Sequence, residues 1–98
     1  MQFLAVETNV PGADTERIAA LLHQEAQTAW RLQQRGLLRN IWFTQDHRAV
    51  LLLECPDQAA AKAALSELPL HAAGLIDFTL ESLLPYDGFK RLFSVGGQ

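Results

Sequence analysis

The sequence predicts an α+β domain in which two helices cover one face of a four-stranded antiparallel sheet, with the element order βαββαβ. Apolar residues recur at helical spacing before Gly36, and two strand-like segments flank a short polar turn. A second helix is then followed by a segment in which apolar and polar residues alternate. The 98 residues suit one domain, so we expect residues 1–98 to form a single unit.

The first half of the chain contains a strand and a long helix. Residues 2–8 (QFLAVET) predict the strand, and Pro11-Gly12 ends it. Asp14 is a suitable N-cap for a helix over residues 15–34, and Gly36 suits its C′ position. Apolar positions along this helix form one stripe, which predicts a buried side.

The second half contains a hairpin, a helix and a last strand. Residues 37–44 and 48–55 are rich in branched and aromatic side chains, and a short polar turn separates them. Asp57 caps a helix over residues 58–68. Residues 75–83 alternate apolar and polar positions, which predicts a half-exposed strand. This order is that of the ferredoxin-like fold.

One face of the predicted sheet lacks helices. Residues 49–53 (AVLLL) are apolar on both sides of their strand, so the second face also needs a cover. Hydrophobic residues are 49% of the chain and charged residues only 19%, which favours an oligomer. We therefore predict a homodimer, with residues 86–98 forming a C-terminal arm.

Composition argues against several partners. The net charge of −3 and the scattered arginines do not suit nucleic acid. Cys55 is the single cysteine, the histidines lack metal-ligand spacing and no Gly-rich phosphate loop occurs, so we expect no metal and no cofactor. No segment reaches about 18 apolar residues and no export signal is visible, so we expect a cytoplasmic protein without membrane contact.

Glu25 lies in the middle of the apolar stripe of the long helix. A buried polar group without a partner costs roughly 2–7 kcal/mol, so the fold must hydrogen-bond, pair or protonate this carboxyl. Burial would raise its pKa towards the range that suits a general acid or base. In the structural alternative, Glu25 simply forms an ion pair with Arg39.

The predicted hairpin supplies further candidates for a pocket around Glu25. If it pairs Thr44 with His47, then Trp42 lies opposite Ala49. On this register Asn40, Trp42 and His47 share one face, and a one-residue slip would exchange the two faces. Facing the long helix, they would offer an oxyanion donor, an aromatic wall and a titratable ring. Alternatively, Trp42 belongs to the core and His47 is a solvated ring.

Three stretches carry a resemblance to a known family: residues 31–42 (RLQQRGLLRNIW), Asp46-His47 and Leu68-Pro69-Leu70. They resemble muconolactone Δ-isomerase and its relatives, including chloromuconolactone dehalogenase, over nearly the whole chain to about Pro85. The resemblance implies a dimeric α+β barrel, ring-like homo-oligomers and an arm exchanged between subunits. It also implies cofactor-free migration of a double bond in a small unsaturated lactone during aromatic degradation.

The resemblance assigns proton transfer to Glu25 and places His47 in the site, so we predict both as catalytic residues. The family has His where this chain has Asn40 and Tyr where it has Arg48, and a lysine of the family's first strand is absent. The predicted substrate-binding residues are Asn40, Trp42, Arg39 and Arg48. Two other functions stay open: a cofactor-independent monooxygenase or cyclase acting on a polycyclic phenol, and a non-catalytic small-molecule-binding or assembly protein.

Overall fold

A computed structural model describes residues 1–93 and contains the predicted elements in the predicted order. The strands are β1 (Gln2–Asn9), β2 (Leu38–Phe43), β3 (Ala49–Glu54) and β4 (Ile76–Leu83). The helices are α1 (Thr15–Gln34), α2 (Gln58–Ser66), α3 (Pro69–Ala72) and α4 (Lys90–Phe93). All strand pairs are antiparallel, in the order β2-β3-β1-β4. The ferredoxin-like prediction is therefore confirmed.

Both ends of α1 lie where the sequence predicted them. The Asp14 carboxylate accepts the backbone N–H of Glu16 at 3.0 Å, which satisfies one of the free donors of the first turn. At the other end Gly36 has a φ of 78°, and Leu37 donates its N–H to the Leu32 carbonyl at 3.0 Å. This left-handed glycine cap satisfies the last carbonyls and turns the chain into β2.

The second helical region differs from the prediction because it is divided. We expected one helix over residues 58–68, but α2 ends at Ser66 and α3 begins at Pro69. Proline suits the first position of a helix, since its fixed φ is helical and its missing N–H needs no partner there. The short α3 consequently directs its first free N–H groups towards α1.

The core lies between the sheet and the helices. Its buried side chains come from alternate positions of the strands and from the facing sides of α1 and α2, and include Phe3, Ala5, Leu32, Leu51, Leu53, Ala61 and Leu65. The buried side of α1 is centred on Thr28 and Leu32. The predicted stripe is thus only partly buried: Leu22 remains 54% exposed, and Glu25 is half-buried.

The other face of the sheet carries a second apolar surface, and no helix within residues 1–93 packs on it. Strand alternation places Leu4, Val6, Val50 and Leu52 there, all half-buried, together with Trp42, which is 50% exposed. We call these five residues the open-face patch. The predicted homodimer stays a prediction. The last part of the predicted arm, residues 94–98, lies outside the described residues.

Candidate active site

A cavity of about 710 Å³ lies between α1 and the helix-covered face of the sheet. This volume is in the range of small-molecule sites, which span roughly 300–1,000 Å³. Apolar side chains supply most of the lining, among them Ile18, Trp30, Ile41, Phe43 and Phe78. The polar side chains that line it are Glu7, Asn9, Thr15, Glu25, Gln33 and His47. The site is therefore an apolar chamber with a few polar groups, two of which are carboxyls.

Glu25 reaches this cavity from the middle of α1. Its Oε1 accepts the backbone N–H of Leu70 at 3.0 Å, a donor that the first turn of α3 leaves free. Burial raises the pKa of Glu25 above its ordinary value of 4.5. The Leu70 hydrogen bond opposes this increase, the charge of Glu7 adds to it, and the charge of His71 opposes it. The result is a fixed carboxyl that holds a proton more readily than a free glutamate.

The structural alternative for Glu25 is wrong. Within residues 1–93 Glu25 forms no ion pair. Arg39 lies at an irregularity in the β2–β3 pairing, between Leu38 and Asn40, and its charge acts on Glu54 instead. The carboxyl of Glu25 is thus held by a neutral backbone donor.

The register of the β2–β3 hairpin differs by one residue from the one we predicted. Trp42 pairs with Val50 rather than with Ala49, and Asn40 pairs with Leu52. Because side chains alternate along a strand, this shift exchanges the two faces. The prediction that Asn40 and Trp42 share a face with the Glu25 pocket is therefore wrong.

The turn explains this shift. Thr44 donates its N–H to the Arg48 carbonyl at 2.8 Å, and His47 donates its N–H to the Thr44 carbonyl at 2.9 Å. His47 adopts a left-handed φ of 61°. This is a three-residue turn, which pairs Thr44 with Arg48. A two-residue turn would require residues such as Asn-Gly at its centre, whereas this chain has Gln45-Asp46.

The observed register brings Ile41 and Phe43 into the cavity wall. His47 also lines the cavity, and its ring lies 5.5 Å from the ring of Phe43. Of the predicted catalytic residues, both Glu25 and His47 thus reach one chamber. Their catalytic roles stay predictions.

The four predicted substrate-binding residues do not line the cavity. Asn40 and Trp42 lie on the opposite face of the sheet, and Arg39 lies at the irregular pairing of β2. Arg48 pairs through Nε with the Asp46 carboxylate at 3.1 Å beside the turn. Their binding roles stay predictions and would require a site other than this cavity.

Glu7 lines the cavity from β1 and was not among the predicted residues. Its Oε1 accepts the backbone N–H of Ala49 at 3.0 Å, at the end of the β1–β3 pairing. The sequence contained a signal for it: in QFLAVET the core residues Phe3 and Ala5 share a strand face with Glu7. A strict reading of this alternation would have placed a second carboxyl beside Glu25.

His71 lies behind the cavity wall, on α3. Its Nδ1 is 3.3 Å from the Ile76 carbonyl oxygen, and its ring meets Phe78 edge-on at 5.5 Å. In the described part of the chain, no group of three His, Cys, Asp or Glu side chains is placed to hold a metal ion. None of the helices in residues 1–93 has the length and apolar character needed to span a membrane.

Fold and site together define a ferredoxin-like domain with an apolar, small-molecule-sized cavity and a carboxyl of raised pKa in its wall. The sequence model for muconolactone delta-isomerase matches residues 1–87, so the chain belongs to the muconolactone delta-isomerase family. The predicted resemblance is confirmed. The comparison with curated proteins found no match.

Solved structures show the same fold. A muconolactone isomerase superposes with a TM-score of 0.73 at 24% identity, covering 89% of this chain and 92% of the other. The 5-chloro-2-hydroxyhydroquinone dehydrochlorinase of Burkholderia phenoliruptrix AC1100, in complex with 2,5-dihydroxybenzoquinone, superposes with a TM-score of 0.63 at 16% identity. That match covers 90% of this chain and 98% of the other. Both of these proteins are enzymes. At these sequence identities, the similarity to this chain shows a shared fold.

Proposed function

We propose that this protein is a cofactor-free enzyme that moves a proton on a small unsaturated lactone or a related product of aromatic-ring degradation. Membership of the muconolactone delta-isomerase family supports this proposal. The observation that carries it is the position of Glu25, a carboxyl of raised pKa in the wall of an apolar cavity. A general acid or base works best when its pKa lies near the working pH, and burial moves Glu25 in that direction.

Glu25 carries the proton in this mechanism. The Leu70 N–H holds Oε1 in place, and Oε2 accepts no hydrogen bond within residues 1–93, so we assign proton exchange to Oε2. The carboxylate removes a proton from a carbon conjugated with the lactone carbonyl. The electron pair moves towards the carbonyl oxygen, and the carboxylic acid returns the proton at another carbon of the conjugated system. The double bond migrates without a net change in atoms.

Among the polar side chains that line the cavity, we take His47 as the donor to the carbonyl oxygen. It lines the same cavity, while Asn40 does not reach it. An imidazole N–H can stabilise the charge that develops on the oxygen as the proton leaves. We therefore assign the orienting role to His47 and proton transfer to Glu25.

A Glu25→Gln substitution tests the proposal. The amide keeps an oxygen for the Leu70 N–H but cannot accept the proton, so we expect kcat for lactone isomerisation to decrease by about 10²–10⁴-fold. Turnover is followed by NMR on muconolactone. A chlorinated hydroxyhydroquinone and a polycyclic phenol are assayed alongside, so that elimination or oxygenation would be detected.

Glu16→Gln is the matched control, because Glu16 lies on the same helix in its exposed first turn. It should leave kcat unchanged. In the unmodified protein, kcat/KM should rise with pH as Glu25 ionises. We expect this rise to disappear in Glu25→Gln and to remain in Glu16→Gln. Unchanged isomerisation in Glu25→Gln would remove this carboxyl from the mechanism.

We also propose that a second copy of the chain covers the open-face patch. The patch is apolar and continuous across three neighbouring strands, which is typical of a surface that another protein covers. Two copies that pack through this face of their four-stranded sheets would bury the patch, and no polar backbone group would become exposed.

A further inference from the structure

The carboxyl of Glu25 depends on a backbone donor that lies far away in the sequence. Its Oε1 accepts the N–H of Leu70 at 3.0 Å, and this N–H belongs to α3. A backbone N–H points where its helix directs it, so the position of α3 decides how Glu25 is held. With four residues, α3 is too short to be stable by itself. It therefore needs anchors elsewhere in the fold.

Apolar packing and backbone hydrogen bonds supply part of this anchoring. Leu70, Leu75 and Ile76 form a small buried cluster, and Ile18 of α1 packs against it. Leu75 donates its N–H to the Leu70 carbonyl at 2.9 Å, and Gly74 adopts the left-handed φ of 73° that ends α3. Apolar contacts have no preferred direction. They hold α3 close to α1, but they do not fix where its N–H groups point.

His71 supplies an anchor that has a direction. Its Nδ1 lies 3.3 Å from the Ile76 carbonyl oxygen and 3.8 Å from the Asp77 carboxylate, at the start of β4. Because a carbonyl oxygen only accepts hydrogen bonds, Nδ1 carries the proton in this contact. The ring also meets Phe78 edge-on, and the Phe78 N–H holds the Asp77 carboxylate at 2.8 Å. One side chain thus ties α3 to three consecutive residues of β4.

We propose that His71 is a positioning residue for Glu25: by tying α3 to β4, it keeps the Leu70 N–H directed at Oε1. The inference rests on the proposed function for the role of Glu25 in proton transfer. It goes further because His71 does not line the cavity. This side chain acts through the backbone of α3 and makes no contact with the substrate.

The pKa of Glu25 reports on this arrangement. Burial raises that pKa, and the Leu70 hydrogen bond lowers it. Two charged groups also face Glu25: Glu7 of β1 raises its pKa and His71 of α3 lowers it. On its other side, His71 faces the Asp77 carboxylate of β4. Loss of the Leu70 hydrogen bond should therefore raise the pKa of Glu25 further, and the rise of kcat/KM with pH should move to higher pH.

Two substitutions separate the anchor from the charge. His71→Phe keeps an aromatic ring against Phe78 but removes Nδ1. His71→Asn keeps a donor for the Ile76 carbonyl, because the amide nitrogen of asparagine can take the place of Nδ1, but it carries no charge. In His71→Phe we expect hydrogen exchange of the Leu70 amide to become about tenfold faster. The pKa of Glu25, followed by NMR of isotopically labelled protein, should increase in the same variant.

The conservative variant and a control complete the comparison. His71→Asn should keep the slow exchange at Leu70 and a smaller increase in the pKa of Glu25. His23→Phe makes the matched change at an exposed position of α1 and should alter neither quantity. Unchanged exchange at Leu70 in His71→Phe would overturn the proposal, even if the variant lost thermal stability. An equal pKa increase in both His71 variants would also overturn it, because the charge alone would then explain the effect.

The unmodified protein offers a test that does not depend on a variant that folds. NMR of labelled histidine shows which ring nitrogen of His71 carries the proton, and we expect Nδ1. A proton on Nε2 alone would leave no donor for the Ile76 carbonyl and would overturn the proposal. These measurements use no substrate. Absent lactone turnover with the expected NMR results would therefore contradict the proposed function and leave the positioning role intact.

Discussion

The two faces of the same sheet differ in what covers them. Strand β1 directs Phe3 and Ala5 towards the helices, where both are fully buried, and directs Leu4 and Val6 to the other side, where both are half-buried. The side chains are similar in character on the two faces. The covering layer therefore decides how deeply these side chains are buried. On one face this layer consists of α1 and α2, whereas no element of residues 1–93 covers the other face.

The helix-covered face is also divided. Near Leu32 and Leu53 it is closely packed, whereas along another side of α1 it opens into the cavity that Glu7 and Glu25 line. Polar groups occur where the packing opens. One face thus combines a packed core with a cavity that two carboxyl groups line, while the open-face patch is an apolar surface.

Neighbouring leucines on β3 give the largest expected difference in stability between the two faces. Leu53 is fully buried, while Leu52 is half-buried in the open-face patch. We expect Leu53→Ala to lower the free energy of unfolding by about 2–5 kcal/mol, the usual cost of a large-to-small change in a core. Leu52→Ala should cost clearly less in dilute solution, as measured by urea unfolding.

The difference in stability between the two variants should change with protein concentration. If a second copy covers the patch, the cost of Leu52→Ala increases as the dimer becomes populated, whereas that of Leu53→Ala does not. If the two variants lost the same free energy of unfolding at every protein concentration, the proposed difference between a packed face and a dimer-forming face would be contradicted.

A charge in the open-face patch should separate the copies. Val50→Asp places a carboxylate in the centre of the patch, and a buried unpaired charge is strongly unfavourable. We expect analytical ultracentrifugation to show a monomer at concentrations where the unmodified protein is a dimer. Ala20→Asp, at an exposed position of α1, is the control and should keep the dimer. A monomeric unmodified protein would refute the proposed interface directly.

The pH dependence of stability gives the smallest expected effect and reports on the chamber. Folding raises the pKa of Glu25, because burial disfavours its charged form. Its contribution to stability is thus fully present below the unfolded pKa near 4.5 and is lost as the pH rises through the folded value. Relative to Glu25→Gln, the unmodified protein should therefore lose thermal stability as the pH rises above about 4.5. A difference in Tm that stays constant as the pH rises above this value would show that Glu25 titrates as in the unfolded chain.

Much of the fold could be predicted because the deciding signals are local. Asp14 and Gly36 mark the ends of α1, and each acts on backbone groups a few residues away. The apolar alternation of β4 and the branched residues of β2 and β3 predicted their elements for the same reason. Glu25 could be identified because a carboxylate among apolar neighbours at helical spacing conflicts with the pattern around it.

The site was harder to predict because it depends on register and on a turn. The turn around His47 has one residue more than predicted. Asn40 and Trp42 therefore lie on the face of the sheet that lacks helices, and Ile41 and Phe43 line the cavity. The turn type depends on small differences in backbone preference at Gln45 and Asp46, which a strand pattern does not reveal. Glu7 was not predicted, although the alternation of side chains along β1 places it on the same face as Phe3 and Ala5.

Three features could be derived from the amino-acid sequence: the order of the elements, the ends of α1 and the acidic group on its apolar side. They depend on contacts between near neighbours in the chain. Three other features became visible with the folded chain: Leu70 donates its N–H to Glu25, Glu7 lines the same cavity and Trp42 faces away from it. Each of these depends on how segments far apart in sequence pack together, and a shift of one residue or a few ångströms would give a different site from the same elements.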